Sequence, residues 1–202
     1  MEHLYSFVEK YAKQYHLSQT LVALPYGKKM HDGQYRKGKE KYPYYCHPLK
    51  MACHAIAIGI QDDDIMAASL LHDVCEDCGV APEDLPVGEK VKEIVAFLTR
   101  DFEAEMKSEE NEKSYYDNIL NHKETLLVKL LDRCNNVSEM SVGFTDERME
   151  RYISKTEKWF YPMMEQGLLL YPEYEREIFL IQYHMTSVMD AAKRCLDKQI
   201  YK

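Results

Sequence analysis

No stretch of this chain reaches the roughly 18 consecutive apolar residues of a membrane span, and the opening Met1-Glu2-His3-Leu4-Tyr5 has neither the basic start nor the apolar core of a secretory signal. The sequence therefore reads as cytosolic. Glycine and proline are scarce, 8 and 7 in 202 residues, while 46% of the chain is hydrophobic and 30% charged. That composition excludes long linkers, low complexity and disorder. No internal repeat is visible, and no segment alternates with period two between hairpin turns, which excludes a β architecture. Basic residues are outnumbered, 26 against 34 acidic, and the net charge of −8 argues against non-specific nucleic-acid binding. The pair Cys75 and Cys78 has no second C-x-x-C to complete a zinc site, and a chain this long needs no disulfide staples. All six cysteines are expected to be reduced packing thiols.

What is present is helical periodicity from end to end, which predicts an all-α, single-domain helical bundle. A first helix covers 2–16, with Leu4, Phe7, Val8 and Tyr11 on one face. Ser18 is placed to cap the next segment, which leads to a helix with Pro25 in its first turn that reaches Met30 and stops at Gly33. Pro48 fits the first position of a third helix with Leu49, Ala52, Cys53 and Ile56 inward, leaving His47 at the helix mouth. Further helices follow from Val91, Ile94, Val95 and Leu98, from Tyr115, Ile119 and Leu120, and from the apolar run 126–136. The charged stretch 102–111 reads as a mobile loop. Two long helices close the chain, one from Asp146 to Gly167 kinked at Pro162, the other from Pro172 to Gln199 with Ile178, Ile181, Met185, Val188, Ala192 and Cys195. The bundle proper is expected over 1–167, with 168–202 as a helical extension packed on it.

Reactive side chains concentrate in Leu70-Leu71-His72-Asp73-Val74-Cys75-Glu76-Asp77. Read as one helix from Ile65 to Cys78, with acidic Asp62, Asp63 and Asp64 before it and Gly79 after it, this stretch puts His72 one turn from Glu76 and Asp73 one turn from Asp77. Like charges at i and i+4 cost about 0.2–0.5 kcal/mol even when exposed, and a divalent ion would relieve the crowding. A solvated acidic helix end fits the same spacing, so ligands from elsewhere in the chain have to decide. Asp132 is one candidate, a carboxylate inside an apolar run that needs a partner, with Asn136 one turn on. His47 is another, although it could equally cap its helix. Between Lys28 and Lys50, seven basic residues stand against two acidic ones, a local net charge of +5 suited to a small, highly charged anion.

The segments His31-x-Gly33-Gln34-x-Arg36-Lys37, Pro43-Tyr44-x-x-His47-Pro48, His72-Asp73-x-x-Glu76-Asp77 and Lys129-Leu130-x-Asp132-x-x-x-Asn136 occur in one order. Together they resemble the HD-domain hydrolase half of the RelA/SpoT alarmone enzymes, and the length is closest to their small stand-alone hydrolases. The resemblance implies metal ligands at His47, His72, Asp73 and Asp132, with Mn²⁺ as the usual ion, and catalytic carboxylates at Glu76 and Asp77. It implies nucleotide contacts at Arg36, Lys37, Tyr44, Asn136 and Tyr152. The implied reaction is hydrolysis of the 3′-pyrophosphate of ppGpp to GDP, or of pppGpp to GTP, by a metal-activated water. Such a protein takes a small guanine nucleotide as partner, with no nucleic acid or membrane, and its oligomeric state is left open. The alternatives are an HD-type phosphatase for NADPH or a nucleoside monophosphate, and a nucleotide sensor without turnover. The Glu76-Asp77 pair argues against the sensor, because binding alone needs no water-activating carboxylate. The loop between Arg36 and His47 is longer than the common bacterial pattern, and Cys78 and Thr99-Arg100 replace a usual Thr and Thr-Lys.

Overall fold

The structure is a computed structural model that describes residues 1–36, 41–100 and 108–199. Eleven α-helices carry them: α1 Glu2–Gln14, α2 Ser18–Met30, α3 Cys46–Ile58, α4 Asp63–Leu71, α5 Val74–Cys78, α6 Glu89–Leu98, α7 Glu109–Leu120, α8 Lys123–Gly143, α9 Asp146–Lys155, α10 Tyr161–Leu170 and α11 Glu175–Gln199. Among the described residues there is no strand, only an isolated bridge between Tyr35 and Pro43, so the fold is all-α as its periodicity implies. None of their helices is long and apolar enough to cross a membrane.

The helix α4 is the hub. Its run Ile65-Met66-Ala67-Ala68-Ser69-Leu70-Leu71 is apolar on every side but for one serine, and every residue in it is buried. A helix apolar all round is stable only when surrounded, and α2, α3, α6 and α8 surround it. Close approach of α2 depends on Gly27, where an added Cβ would stand 2.8 Å from Tyr45 Cε2 and 2.9 Å from the Leu70 carbonyl oxygen. Backbone cannot yield as a flexible side chain can, so Gly27→Ala is expected to destabilise the fold by about 1–3 kcal/mol. A urea midpoint unchanged from wild type would contradict it.

The α2–α4 contact is also polar. Asp62 caps its own helix by accepting from the Ile65 backbone N–H at 2.9 Å, whereas Asp63 caps α2 from across the interface. Its carboxylate accepts from the N–H groups of Gln19 and Thr20, both at 2.8 Å, and from the Thr20 hydroxyl at 2.7 Å. Ser18 is therefore not the cap; its hydroxyl donates to Asp63 at 3.3 Å.

Other boundaries move for physical reasons. Pro25 lies in the interior of α2, not its first turn, and α3 begins at Cys46, so Pro48 is its third residue. Phe7 is 46% exposed because α1 packs through Val8 and Ala12, and Cys195 also faces solvent. Residues 109–111 belong to α7, which Ser108 caps by accepting from the Asn111 N–H at 3.1 Å; the rest of the expected loop, 102–107, lies outside the described residues. Pro162, where the sequence predicts a kink, is the second residue of α10, and just before it a π-helical turn over Thr156–Phe160 joins α9 to α10.

The single helix expected over 65–78 is broken. It stops at Leu71, and Asp73 takes φ −101°, ψ −4° before α5 starts. In an unbroken helix His72 and Asp73 would diverge by about 100°. The break instead brings His72 Nε2 to 2.9 Å from Asp73 Oδ2.

Candidate active site

His47 enters from the first turn of α3, His72 and Asp73 from the α4–α5 break, and Asp132 from the middle of α8. His47 Nε2 lies 3.3 Å from Asp132 Oδ1 and 3.9 Å from Asp73 Oδ2, and His72 Nε2 lies 3.9 Å from Asp132 Oδ1. The outer nitrogens are engaged behind them: His47 Nδ1 is 2.5 Å from Asn135 Oδ1, and His72 Nδ1 is 3.0 Å from the Ser69 carbonyl oxygen. Both contacts are oxygen acceptors, which in a neutral ring places the proton on Nδ1 and leaves the Nε2 lone pair turned inward. His72 Nε2 is buried and, despite its nearness to Asp73, makes no aligned hydrogen bond.

Three further groups hold the carboxylates. Tyr44 donates to Asp73 Oδ2, while Asp132 accepts from Asn136 Nδ2 at 2.6 Å and from Lys129 Nζ at 3.2 Å. Burial opposes ionisation of both carboxylates. Even so, His72 holds Asp73 well below the usual carboxylate range, and Lys129 with the two imidazoles does the same for Asp132. In the absence of an ion the balance falls on His72, where burial favours the neutral ring but Asp73 and Asp132 raise it to about 9. Two ionised carboxylates and two inward nitrogens, one of them buried without a partner, fit a divalent cation with nitrogen and oxygen ligands. His47, His72 and Asp73 offer ligand atoms all within 4.8 Å of one another, and Asp132 closes the set.

His47, Asp73 and Asp132 form one wall of a cavity of about 510 Å³. Glu76 and Asp77, one turn beyond Asp73, line it as well. The backbone N–H of Arg100 reaches Glu76 Oε2 at 3.4 Å, and burial together with Asp73 raises the Glu76 carboxyl above its ordinary value. Arg36, Tyr44, Asn136 and Tyr152 also line the cavity; Lys37 lies outside the described residues. Arg36 Nη2 donates to Asn136 Oδ1 at 2.7 Å and to Glu139 Oε2 at 3.3 Å, so Asn136 links the guanidinium to Asp132.

The basic window contributes less than its charge suggests, since Lys28 pairs with Glu2 and Lys50 with Glu139. Arg36 is the one described cation of that window on the cavity wall; the others there are Arg100, Lys129, Arg133, Arg148 and Lys155. Arg133 lies between the rings of Tyr152 and Phe160, 4.1 Å from each, with Nε and Nη1 buried and unpartnered. These cations, with Asn135 and Glu139, escaped the sequence reading. Lys129 had a usable signal, because it stands one helical turn before Asp132. Cys75 and Cys78 remain free thiols.

No protein-family model matches the sequence. The chain is 32% identical over 163 residues to guanosine-3′,5′-bis(diphosphate) 3′-pyrophosphohydrolase of Aquifex aeolicus, a match covering 77% of this chain and 23% of that relative. It is 30% identical over 140 residues to guanosine-3′,5′-bis(diphosphate) 3′-pyrophosphohydrolase MESH1 of Xenopus tropicalis, covering 65% of this chain and 77% of that one. The chain thus spans less than a quarter of the Aquifex relative but most of the Xenopus protein. The solved structure of a metazoan ortholog of SpoT, described as hydrolysing ppGpp, shares the fold with a TM-score of 0.65 over 88% of this chain and 94% of that one, at 23% identity. On the Xenopus match, and with the fold in common, the chain belongs to the family of guanosine-3′,5′-bis(diphosphate) 3′-pyrophosphohydrolases.

Proposed function

We propose that this chain is a Mn²⁺-dependent hydrolase of the cytosol that removes pyrophosphate from the 3′ position of ppGpp and pppGpp, leaving GDP and GTP. The observation that carries the proposal is the convergence of His47, His72, Asp73 and Asp132 beside Glu76 and Asp77 in a cavity walled by cations. Those four residues would hold the ion, which would supply Lewis acidity and lower the pKa of a water molecule. Glu76 acts as the base that takes the proton from the attacking water, and its raised carboxyl pKa suits that task better than an ordinary one. Asp77 orients the water and serves the leaving group. Lys129 and Arg133 face the negative charge of the phosphates, and Tyr152 and Asn136 shape the wall against which the nucleoside lies.

Arg36 has the most specific role. Its edge is occupied by Asn136 and Glu139, which fixes the plane of the guanidinium for stacking on a purine. An ammonium cannot stack in that way, so Arg36→Lys is expected to lower kcat/KM on ppGpp roughly tenfold to a hundredfold; a change under twofold would remove Arg36 from the site. The substrate is tested by presenting ppGpp, pppGpp, NADPH, GTP and dAMP at equal concentration with Mn²⁺ and following pyrophosphate and phosphate release separately. Pyrophosphate from ppGpp with GDP left behind is the expected result. Phosphate from NADPH or dAMP, with ppGpp untouched, would replace the proposal by the other HD-type phosphatases.

A further inference from the structure

A second group of ligand-bearing side chains lies away from the cavity. His54 on α3, Cys134 on α8 and His184 on α11 offer a nitrogen, a sulfur and a nitrogen that all lie within 4.8 Å of one another. The two imidazoles meet edge to face with centroids 5.2 Å apart. Cys134 is fully buried, His54 is half-buried, and His184 stands at the solvent-facing rim. No hydrogen bond engages His54 among the described residues, and burial together with His184 lowers it to about 4, so its ring is neutral near pH 7 and keeps a lone pair. Ser138 Oγ, which donates to the Cys134 carbonyl at 2.8 Å, is 3.3 Å from His184 Nε2 and steadies that ring.

We propose that His54, Cys134 and His184 form a second metal site, specific for a zinc-class divalent ion, that fastens α11 to α3 and α8. Its chemistry differs from that of the cavity. One thiolate and two imidazoles favour a borderline-soft ion in a four-coordinate site with a water in the fourth position, whereas the cavity offers two carboxylates. Ligand atoms around tetrahedral zinc stand about 3.5 Å apart for bonds of 2.0–2.3 Å, so small rotamer changes close the present spacing. Binding converts the Cys134 thiol to a thiolate and releases its proton to solvent. The two sites share their scaffold: α3 carries His47 and, two turns on, His54, and α8 carries Asp132 and Cys134. The helix α11 contributes to the second alone.

Cobalt separates the two, because a thiolate-to-Co²⁺ charge-transfer band cannot arise from the imidazoles and carboxylates of the cavity. Titrating the metal-free full chain with Co²⁺ under reducing conditions should develop that band within the two equivalents per chain that the two sites together take up. Cys134→Ser should abolish it, His184→Gln should weaken the Co²⁺ affinity at least tenfold, and Asp132→Ala should leave it in place. Should Cys134→Ser fail to fold by circular dichroism, the rim variant His184→Gln carries the test, together with the Zn²⁺-induced rise in melting temperature, which it should lose. Absence of the band, or a band and a Zn²⁺ shift unaffected by His184→Gln, would overturn the site. None of these readouts uses turnover, so they stand or fall apart from the proposed hydrolysis.

Discussion

Glu76→Gln is expected to lower kcat on ppGpp roughly 10²–10⁴-fold, the usual cost of removing a general base, while the ion remains bound. Among the described residues Glu76 makes no ion pair or side-chain hydrogen bond with His47, His72 or Asp132; its hydrogen bond there comes from the Arg100 backbone. The glutamine keeps the shape and can still accept from that N–H but cannot take a proton. Asp132→Ala should behave differently. It removes the proposed ligand oxygen, 3.3 Å from His47 Nε2, and leaves Lys129 and Asn136 facing an empty position, so ion, turnover and the stability conferred by the ion should all fall together. Metal content by mass spectrometry, measured beside turnover, distinguishes them. An equal loss of metal in the two variants would make Glu76 a ligand and undo its assignment as base. A chelator should likewise abolish turnover in the wild type, with Mn²⁺ restoring it better than Mg²⁺, which parts with its waters reluctantly.

Asp63→Ala should cost about 2–4 kcal/mol of folding stability, although the residue is remote from the cavity, since several charge-assisted hydrogen bonds go at once. The carboxylate satisfies the first free N–H groups of α2 and the hydroxyl of Thr20, which is fully buried. Alanine leaves that hydroxyl without its acceptor in a dry interface and removes the polar tie between α2 and the hub α4. For a chain of this size the melting temperature should fall by roughly 5–15 °C. Asp63→Asn should retain much of the stability, as an amide oxygen can accept the same bonds without the charge. A melting temperature within a degree of wild type in Asp63→Ala would show that water replaces the cap.

The helices were legible because their apolar spacing is strong, and His47, His72, Asp73 and Asp132 through the family resemblance of the motifs that hold them; the structure brings these four side chains together. What escaped is long-range. Asp63 reads as one more acid at the start of its own helix, and nothing local tells that its carboxylate serves α2, 43 residues away. Glu139 looks like a surface residue of α8, yet Arg36, Tyr42 and Lys50 all converge on it. The break at His72-Asp73 contains neither glycine nor proline; tertiary packing, not propensity, interrupts the helix there. A window of charge likewise says nothing of direction, which is why the cations of the cavity come largely from α8 and α9.

The π-helical turn over Thr156–Phe160 bears on register. At 100° per residue, the eight positions from Tyr152 to Phe160 would leave the two rings about 80° apart around a regular helix. Both nevertheless lie 4.1 Å from the Arg133 guanidinium. A π turn accommodates one surplus residue, which reduces the effective separation to seven and swings the second ring back over the first. Removing a single residue between 156 and 160 would restore an unbroken α-helix with the two rings seven positions and about 20° apart, so both would stay on the guanidinium; regularising the turn without a deletion would set them about 80° apart and carry one ring off it. A one-residue gap is therefore expected where relatives with a regular helix are aligned to this segment, with the clasp of Arg133 by the two rings unchanged.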